Sequence, residues 1–192
     1  MGWGTRLYWV LLAVLSAAAL FFGVNAEGRR RSVQRGETKL DNDAIVRLER
    51  VVDGDTLLVT TEEDQSVAVR LVGIKAFDEQ RAKDAVRALA ARTVLELERL
   101  LADQPIQLVL HDVPQDAHGR TLAYLYVDGE DVGLSLVQDG LVLVYPVYPF
   151  ARLPLYQVEQ EAARADRRGL WANEDIVEHA NLLLRQWGKE VR

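Results

Sequence analysis

An alternating apolar stretch from Val51 to Glu79 constrains the fold of this chain more than any other feature. It predicts two strands, 51–59 and 66–74, joined by a polar turn at 62–65, because apolar residues at every second position are typical of half-buried strands. A charged loop follows and opens a helix. Carboxylates at a sheet edge, with an arginine on the next strand, can build a phosphate site. The ionisable residues of this stretch are Asp53, Asp55, Arg70, Lys75, Asp78 and Glu79.

The rest of the sequence predicts short strands and helices around this stretch. Asp128-Gly129 favours a tight hairpin, since glycine tolerates positive φ, and Gly140 favours a left-handed helix end. We expect Trp171 to lie in the core. The predicted strands are 44–50, 106–111, 122–127 and 141–148, and the predicted helices are 80–102, 132–138 and 155–168. The helix at 80–102 has one stripe that we expect to pack on the sheet, formed by Val86, Leu89, Ala90, Thr93, Leu97, Leu100 and Leu101.

A last helix is predicted from an N-cap at Asn173 onward, with one apolar face. We expect the domain's own surface to cover this face, with a second chain or a membrane interface as the alternative. The face consists of Ile176, Ala180, Leu183, Leu184 and Trp187.

The segment from Leu7 to Val24 is apolar except for Ser16 and Gly23, a length that suits roughly one bilayer crossing by a helix. We expect an uncleaved membrane anchor; the alternative is a signal segment cleaved near Ala26, with secretion of the domain. The side of the membrane stays open, because the arginines after the run favour a cytoplasmic domain whereas the start of the chain is typical of export. The predicted organisation is 1–26 anchor or signal, 27–42 polar linker, 43–172 domain and 173–192 C-terminal helix.

Charge and cysteine content limit the chemistry. The chain has no cysteine, which excludes disulfides, thiolate catalysis and cysteine-ligated metals. The chain has 23 basic and 29 acidic residues, of which five basic and one acidic residue precede residue 37. Residues 37–192 therefore hold 18 basic and 28 acidic residues, which gives a net charge of −10. Proteins that bind nucleic acid without sequence preference usually carry a basic stripe. The composition of this domain does not show one.

Five ordered landmarks resemble the staphylococcal nuclease (thermonuclease-like) family. The resemblance implies an α+β, mainly β, fold in which a five-stranded OB-type barrel carries packed helices. It also implies, for active members, calcium-dependent cleavage of DNA or RNA. The landmarks are DGDT at 53–56, VRLVGI at 69–74, HGRTLAYLYVDG at 118–129, QDGLV at 138–142 and RRGLW at 167–171.

The resemblance assigns roles to several residues of this chain. Asp55 matches a calcium ligand, with Asp53 beside it as a supporting carboxylate. Arg70 and Arg120 match two catalytic arginines that clamp the scissile phosphate. Tyr148, close to Tyr145 in the sequence, lies where the family stacks a base on tyrosine.

The sequence departs from the family pattern in the loop after the second strand. Lys75 stands where the second calcium carboxylate belongs, and Asp78 stands where the general-base glutamate belongs. An ammonium group removes an oxygen ligand and repels a divalent cation, so we expect either no calcium or weakly bound calcium. Asp78 is one methylene shorter than the family's base, and Glu79 could replace it only if the loop shifts by one residue.

Three interpretations of the pocket follow. In the first, catalysis is impaired or lost, Lys75 forms an internal salt bridge with the Asp53 and Asp55 carboxylates where calcium would bind, and the domain is a membrane-tethered binding or scaffolding module. In the second, the chain is an active phosphodiesterase in which Lys75 acts as a fixed positive charge beside the phosphate. In the third, the loop register is shifted and Asp78 is itself a metal ligand.

Partners and further site candidates follow from the same features. Nucleic acid is the expected ligand, the membrane is contacted through residues 7–24, and the C-terminal helix could contact a protein. His111, His118 and His179 are too scattered in the sequence to suggest a metal site.

Overall fold

Apolar residues that alternate along the chain close a small barrel in the computed structural model, which describes residues 40–78 and 84–190. Within those residues the strands are β1 (Ala44–Asp53), β2 (Thr56–Thr60), β3 (Ser66–Leu71), β4 (Ile74–Lys75), β5 (Ile106–Gln115), β6 (Thr121–Val127), β7 (Glu130–Asp131) and β8 (Leu143–Val144). The helices are α1 (Asp84–Leu101), α2 (Val132–Gln138), α3 (Leu153–Ala165) and α4 (Glu174–Glu190), with a 3-10 turn at Gly169–Ala172.

Five strands form the barrel wall in the order β3-β2-β1-β5-β6, and a parallel β3–β6 pairing closes it. The other pairings of the wall are antiparallel. Leu57, Val69, Leu108 and Leu125 are fully buried inside it. A barrel has no free sheet edge, so backbone groups along its wall are paired. The α+β fold with a closed five-stranded barrel confirms the predicted fold class.

Several predicted strands have different bounds in the structure. The predicted strand 66–74 is wrong as a single element, because the chain turns at Val72 and Gly73 between β3 and β4, and the strands predicted at 44–50 and 106–111 extend to Asp53 and Gln115. The predicted strand 51–59 is wrong as a single element, because the chain reverses direction at residues 54–55. Asp53 pairs with Thr56 across this turn. The Asp53 carboxylate accepts the N–H of Asp55 at 2.9 Å and so stabilises this turn. The predicted strand 141–148 shrinks to β8, since Pro146 has no N–H to donate to a ladder.

Helix α1 packs the predicted apolar stripe against the core. Thr93 shares that face, and its hydroxyl donates to the carbonyls of Leu89 and Leu141 at 2.9 and 3.1 Å. Leu100 is only partly buried. The buried residues of the helix are Val86, Leu89, Ala90, Thr93, Leu97 and Leu101.

Helix α4 begins at the predicted N-cap. The Asn173 side chain accepts the N–H groups of Asp175 and Ile176 at 3.0 and 3.3 Å. Ile176, Ala180 and Trp187 are buried within the core of the same domain. The expectation that the domain's own surface covers this face is therefore confirmed.

The predicted membrane anchor at 1–26 lies outside the described residues, as does the linker before Leu40. Leu40 packs against the core, and the Asn42 side chain accepts the N–H of Leu110, so the described end of the predicted linker contacts the domain. None of the helices within 40–78 and 84–190 has the length and apolar character needed to cross a bilayer.

We predict that Gly54→Ala lowers the free energy of unfolding by about 1–3 kcal/mol, as overpacking does. A Cβ at Gly54 would lie 2.7 Å from the Ala76 Cβ and 2.8 Å from the Thr93 Cγ2. Equilibrium urea unfolding measures the change. The matched control is Gly188→Ala, in helix α4 with no atom within 4 Å of the added Cβ. It should raise the stability by about 0.5–1 kcal/mol. Equal shifts of the same sign in both variants would contradict this packing.

Candidate functional site

The candidate site forms where the β1–β2 turn meets the ends of β3 and β4. Thr56 pairs with Arg70 across β2 and β3, and the Leu71 N–H donates to the Asp55 carbonyl at 2.9 Å. The chain then turns at Gly73, whose φ is +76°, into β4 and Lys75. Residues far apart in the sequence therefore meet at one end of the barrel.

The carboxylate of Asp55 is the centre of this site, and Asp55 is only 1% exposed. Its Oδ2 accepts the Ala76 N–H at 2.8 Å and forms ion pairs with Arg70 Nη2 at 3.1 Å and Lys75 Nζ at 3.3 Å. Its Oδ1 accepts the Thr56 hydroxyl at 3.1 Å. Three of these four donors lie on Oδ2 and one lies on Oδ1, so both oxygens of the carboxylate are engaged.

Arg70 is fixed by main-chain acceptors as well as by Asp55. Its Nη1 donates to the carbonyls of Leu71 at 2.7 Å and Asp55 at 3.3 Å, and its Nη2 donates to the Ile74 carbonyl at 2.7 Å. Together with the ion pair, these contacts account for both N–H groups on each terminal nitrogen. Arg70 thus connects the ends of β3 and β4 to the β1–β2 turn, and its buried ion pair with Asp55 stabilises their arrangement.

Arg120 is held less tightly at the mouth of the site. Its Nε and Nη2 both lie 2.7 Å from Asp116 Oδ2, and its Nη1 donates to the Thr56 hydroxyl at 3.1 Å. The side chain is 30% exposed. Because the Thr56 hydroxyl also donates to Asp55, it connects the two arginine clusters.

Opposing effects act on the two aspartates of the turn. Burial by itself would raise the pKa of Asp55, but the charges of Arg70 and Lys75 and the Ala76 N–H outweigh it, so the pKa is lowered. Partial burial and the negative charge of Asp55 raise the pKa of Asp53. Asp55 is therefore the carboxylate that stays ionised, and Asp53 is the one that protonates more readily.

Two tyrosines extend the site. The Tyr145 N–H donates to the Gly73 carbonyl at 2.8 Å, which places Tyr145 beside the turn into β4. Its ring lies 6.0 Å from that of Tyr148, in an edge arrangement. Tyr148 is 68% exposed and can offer a ring face to a ligand.

The remaining predicted residues are Asp78, Glu79 and the histidines. Asp78 is exposed at the end of the described segment, and Glu79 lies outside the described residues. The His111 ring contacts the carbonyls of Val113 and Pro149, and the His179 ring lies 5.7 Å from Phe77. In the described part of the chain, no group of three or more histidine, aspartate and glutamate residues is arranged to hold a metal ion.

Residues 68–173 match the family described as staphylococcal nuclease homologue. The chain belongs to that family. A thermonuclease of Staphylococcus intermedius is 27% identical over 81% of this chain and 90% of its own length. An uncharacterised endonuclease of Haemophilus influenzae is 28% identical over 76% of this chain and 74% of its own, and one of Escherichia coli O157:H7 is 30% identical over 68% and 79%.

The donor set of this family member does not fit a calcium ion. Calcium takes six to eight oxygen ligands, whereas the site as described offers the carboxylates of Asp53 and Asp55. Both oxygens of Asp55 are already occupied, and the ammonium of Lys75 lies at hydrogen-bond distance from one of them. An entering cation would have to displace Lys75 and would face the charge of Arg70.

Two residues of the site were missed by the sequence analysis. Asp116 holds Arg120 and also accepts the N–H groups of His118 and Arg120 at 2.8 and 3.0 Å. An aspartate four residues before an arginine, in a turn ending in glycine, was the available signal. Thr56 bridges the clusters and was visible only as the last residue of DGDT.

We predict that Asp55→Asn lowers the free energy of unfolding at neutral pH by about 3–5 kcal/mol, because it leaves the buried guanidinium of Arg70 without its charge partner. Since the folded pKa of Asp55 is lowered, its contribution is present above the ordinary aspartate pKa and is lost as the pH falls through the folded value. Urea unfolding from about pH 3 to about pH 7 measures the difference.

The raised pKa of Asp53 acts with the opposite sign, so Asp53→Asn is the matched control. Ionisation of Asp53 in the folded protein lowers the free energy of unfolding as the pH rises through the folded pKa of Asp53, and Asp53→Asn should remove this loss. If the destabilisation by Asp55→Asn were the same at both ends of the pH range, the ion pairs would not be its cause.

Proposed function

We propose that this chain is a membrane-tethered binding or scaffolding member of the staphylococcal nuclease family, with nucleic acid as its ligand and with impaired or lost calcium-dependent hydrolysis. The observation that carries the proposal is the Lys75 Nζ, 3.3 Å from Asp55 Oδ2. An internal cation there neutralises the carboxylate that a divalent ion would need.

The competition with calcium favours the internal cation. Lys75 is covalently attached to the chain, so its pairing with Asp55 does not lose the translational entropy that binding a free ion loses. Its side chain is 47% exposed, so its ammonium keeps part of its hydration. Calcium would gain one carboxylate by displacing it. The family's second carboxylate ligand would have to come from the position that Lys75 itself occupies.

The mouth of the site supports a phosphate-containing ligand. Arg120 is partly exposed beside the site, and its guanidinium can bind a phosphate in a bidentate manner if it exchanges Asp116 for the ligand. Tyr148 offers an exposed ring for a base. Because residues 37–192 carry a net charge of −10, a short single strand suits this surface better than a long duplex. The names of the relatives, which include endonucleases, also support a nucleic-acid ligand.

Tethering is proposed from the sequence. The apolar run at 7–24 has the length of a bilayer crossing, and cleavage near Ala26 is the alternative that would release the domain.

A second candidate function is an active phosphodiesterase. It is favoured by the convergence of Arg70, Lys75 and Arg120 at one end of the barrel, since fixed positive charges stabilise the charge that develops on a phosphate during hydrolysis. The terminal nitrogens of Arg70 are occupied by main-chain carbonyls and Asp55, so Arg120 would be the principal phosphate contact.

We predict that Lys75→Asp combined with Asp78→Glu raises calcium affinity at least about tenfold, because it removes an ammonium and adds a carboxylate at the same place. Titration calorimetry with calcium on the full chain measures the affinity. A nuclease assay on single-stranded DNA and RNA, with calcium and with chelator, accompanies it. The original chain should show little or no calcium-dependent turnover.

Lys75→Gln is the matched control, since it removes the charge without adding a ligand. It should bind calcium less well than the double variant. A double variant that binds calcium no better than the original chain would show that Lys75 does not occupy a metal position. Calcium-dependent turnover by the original chain that the double substitution does not increase would refute the binding-module proposal, because hydrolysis would then be neither impaired nor lost.

We also predict that Arg120→Ala weakens binding of a dye-labelled single-stranded oligonucleotide about tenfold, as expected for loss of one charge-assisted phosphate contact. Fluorescence anisotropy at fixed salt measures this affinity. Arg99→Ala is the control, because Arg99 is exposed and pairs with Glu96 on α1. Equal effects of the two substitutions would place the ligand elsewhere. Calcium-independent turnover that disappears in Arg120→Ala would establish the second function.

A further inference from the structure

Helix α4 spans 174–190 and so follows the family match, which ends at residue 173. The helix nevertheless contacts two segments of the candidate site. The first contact is with the segment after β8, and the second is with the loop after Lys75. Both contacts are made by aromatic rings.

The first contact joins Trp187 to Tyr145. Their ring centroids lie 4.9 Å apart at 83°, an edge-to-face arrangement, and Trp187 is only 6% exposed. Tyr145 directly follows β8, in which Leu143 pairs with Lys75 and Val144 pairs with Ile74. The position of Tyr145 is thus linked through this short ladder to the strand that carries Lys75.

The second contact joins His179 to Phe77. Their ring centroids lie 5.7 Å apart at 45°, and Phe77 is buried. Phe77 follows Ala76, whose N–H donates to Asp55 Oδ2 at 2.8 Å, and precedes Asp78. The loop that supplies Lys75 and Asp78 is therefore packed against α4 at its middle residue.

The electrostatic surroundings of Tyr145 agree with this placement. Burial raises the pKa of Tyr145, the charges of Tyr148 and Glu190 add to the rise, and the charge of Arg70 opposes it. Tyr145 thus lies within electrostatic reach of both the buried guanidinium of the site and the last residue of α4.

We infer that α4 supports the site through two positioning residues. Trp187 positions Tyr145, and His179 positions the Lys75–Asp78 loop. This role goes beyond binding or hydrolysis, because it concerns the geometry of the ligand-free protein. Each residue acts through its own contact, so each should affect a different backbone amide.

Amide hydrogen exchange of the full ligand-free chain, followed by NMR, tests this assignment. His179→Ala should speed exchange of the Ala76 amide, which is bonded to Asp55, by about three- to tenfold. Trp187→Ala should speed exchange of the Tyr145 amide, which is bonded to the Gly73 carbonyl, by a similar factor. The amides of Leu108 and Leu125 in the barrel wall serve as the reference and should change little in either variant.

Two further variants complete the design. Leu182→Ala, on an exposed position of α4, should leave both amides unchanged. Trp187→Phe keeps an aromatic ring and should restore most of the protection at Tyr145. The assignment is overturned if all amides, including the reference pair, accelerate equally in His179→Ala, because α4 would then only add global stability. It is also overturned if exchange of the Ala76 amide is unchanged in His179→Ala. The His179 side chain is exposed, so this variant tests the contact even if Trp187→Ala unfolds. Because no ligand enters the measurement, its failure is distinct from a failure to bind nucleic acid.

Discussion

The buried carboxylate of Asp55 is the constraint on which the rest of the site depends. A charged group without water must be paired and hydrogen-bonded, and Asp55 meets this requirement through Arg70, Lys75, Thr56 and the Ala76 N–H. These four donors come from three segments of the chain, because Lys75 and Ala76 are neighbours. Their common acceptor therefore fixes the β1–β2 turn, the end of β3 and the loop after β4 relative to one another.

This arrangement separates the two arginines by task. Arg70 is almost completely buried, and its terminal nitrogens are used by carbonyls and Asp55, so it contributes mainly to the geometry of the site. Arg120 is held by a carboxylate and a hydroxyl that a phosphate could replace. Lys75 lies between these extremes, because its head group pairs with a buried charge while half of its side chain faces solvent.

The sequence predicted more of the fold than of the site. Strand alternation, the helical stripe of α1, the N-cap at Asn173 and the burial of Trp171 all follow from local rules, and the structure confirms them. The break at Gly54 was missed although Asp53-Gly54 is the same pair as Asp128-Gly129, because the apolar residues on both sides were interpreted as one strand. In the site, Asp116 was missed because its role arises only when the turn brings it back to Arg120.

The sequence by itself determined which side chains are present, and hence that the segment after β3 carries Lys75. The ordered motifs also carried the resemblance that implied the barrel, whereas its closure is a pairing between the distant strands β3 and β6. Only the tertiary structure decided what Lys75 does, since its ammonium pairs with Asp55, which lies 20 positions earlier in the sequence. The same holds for α4, whose apolar face was readable but whose contacts with Phe77 and Tyr145 depend on packing between distant segments.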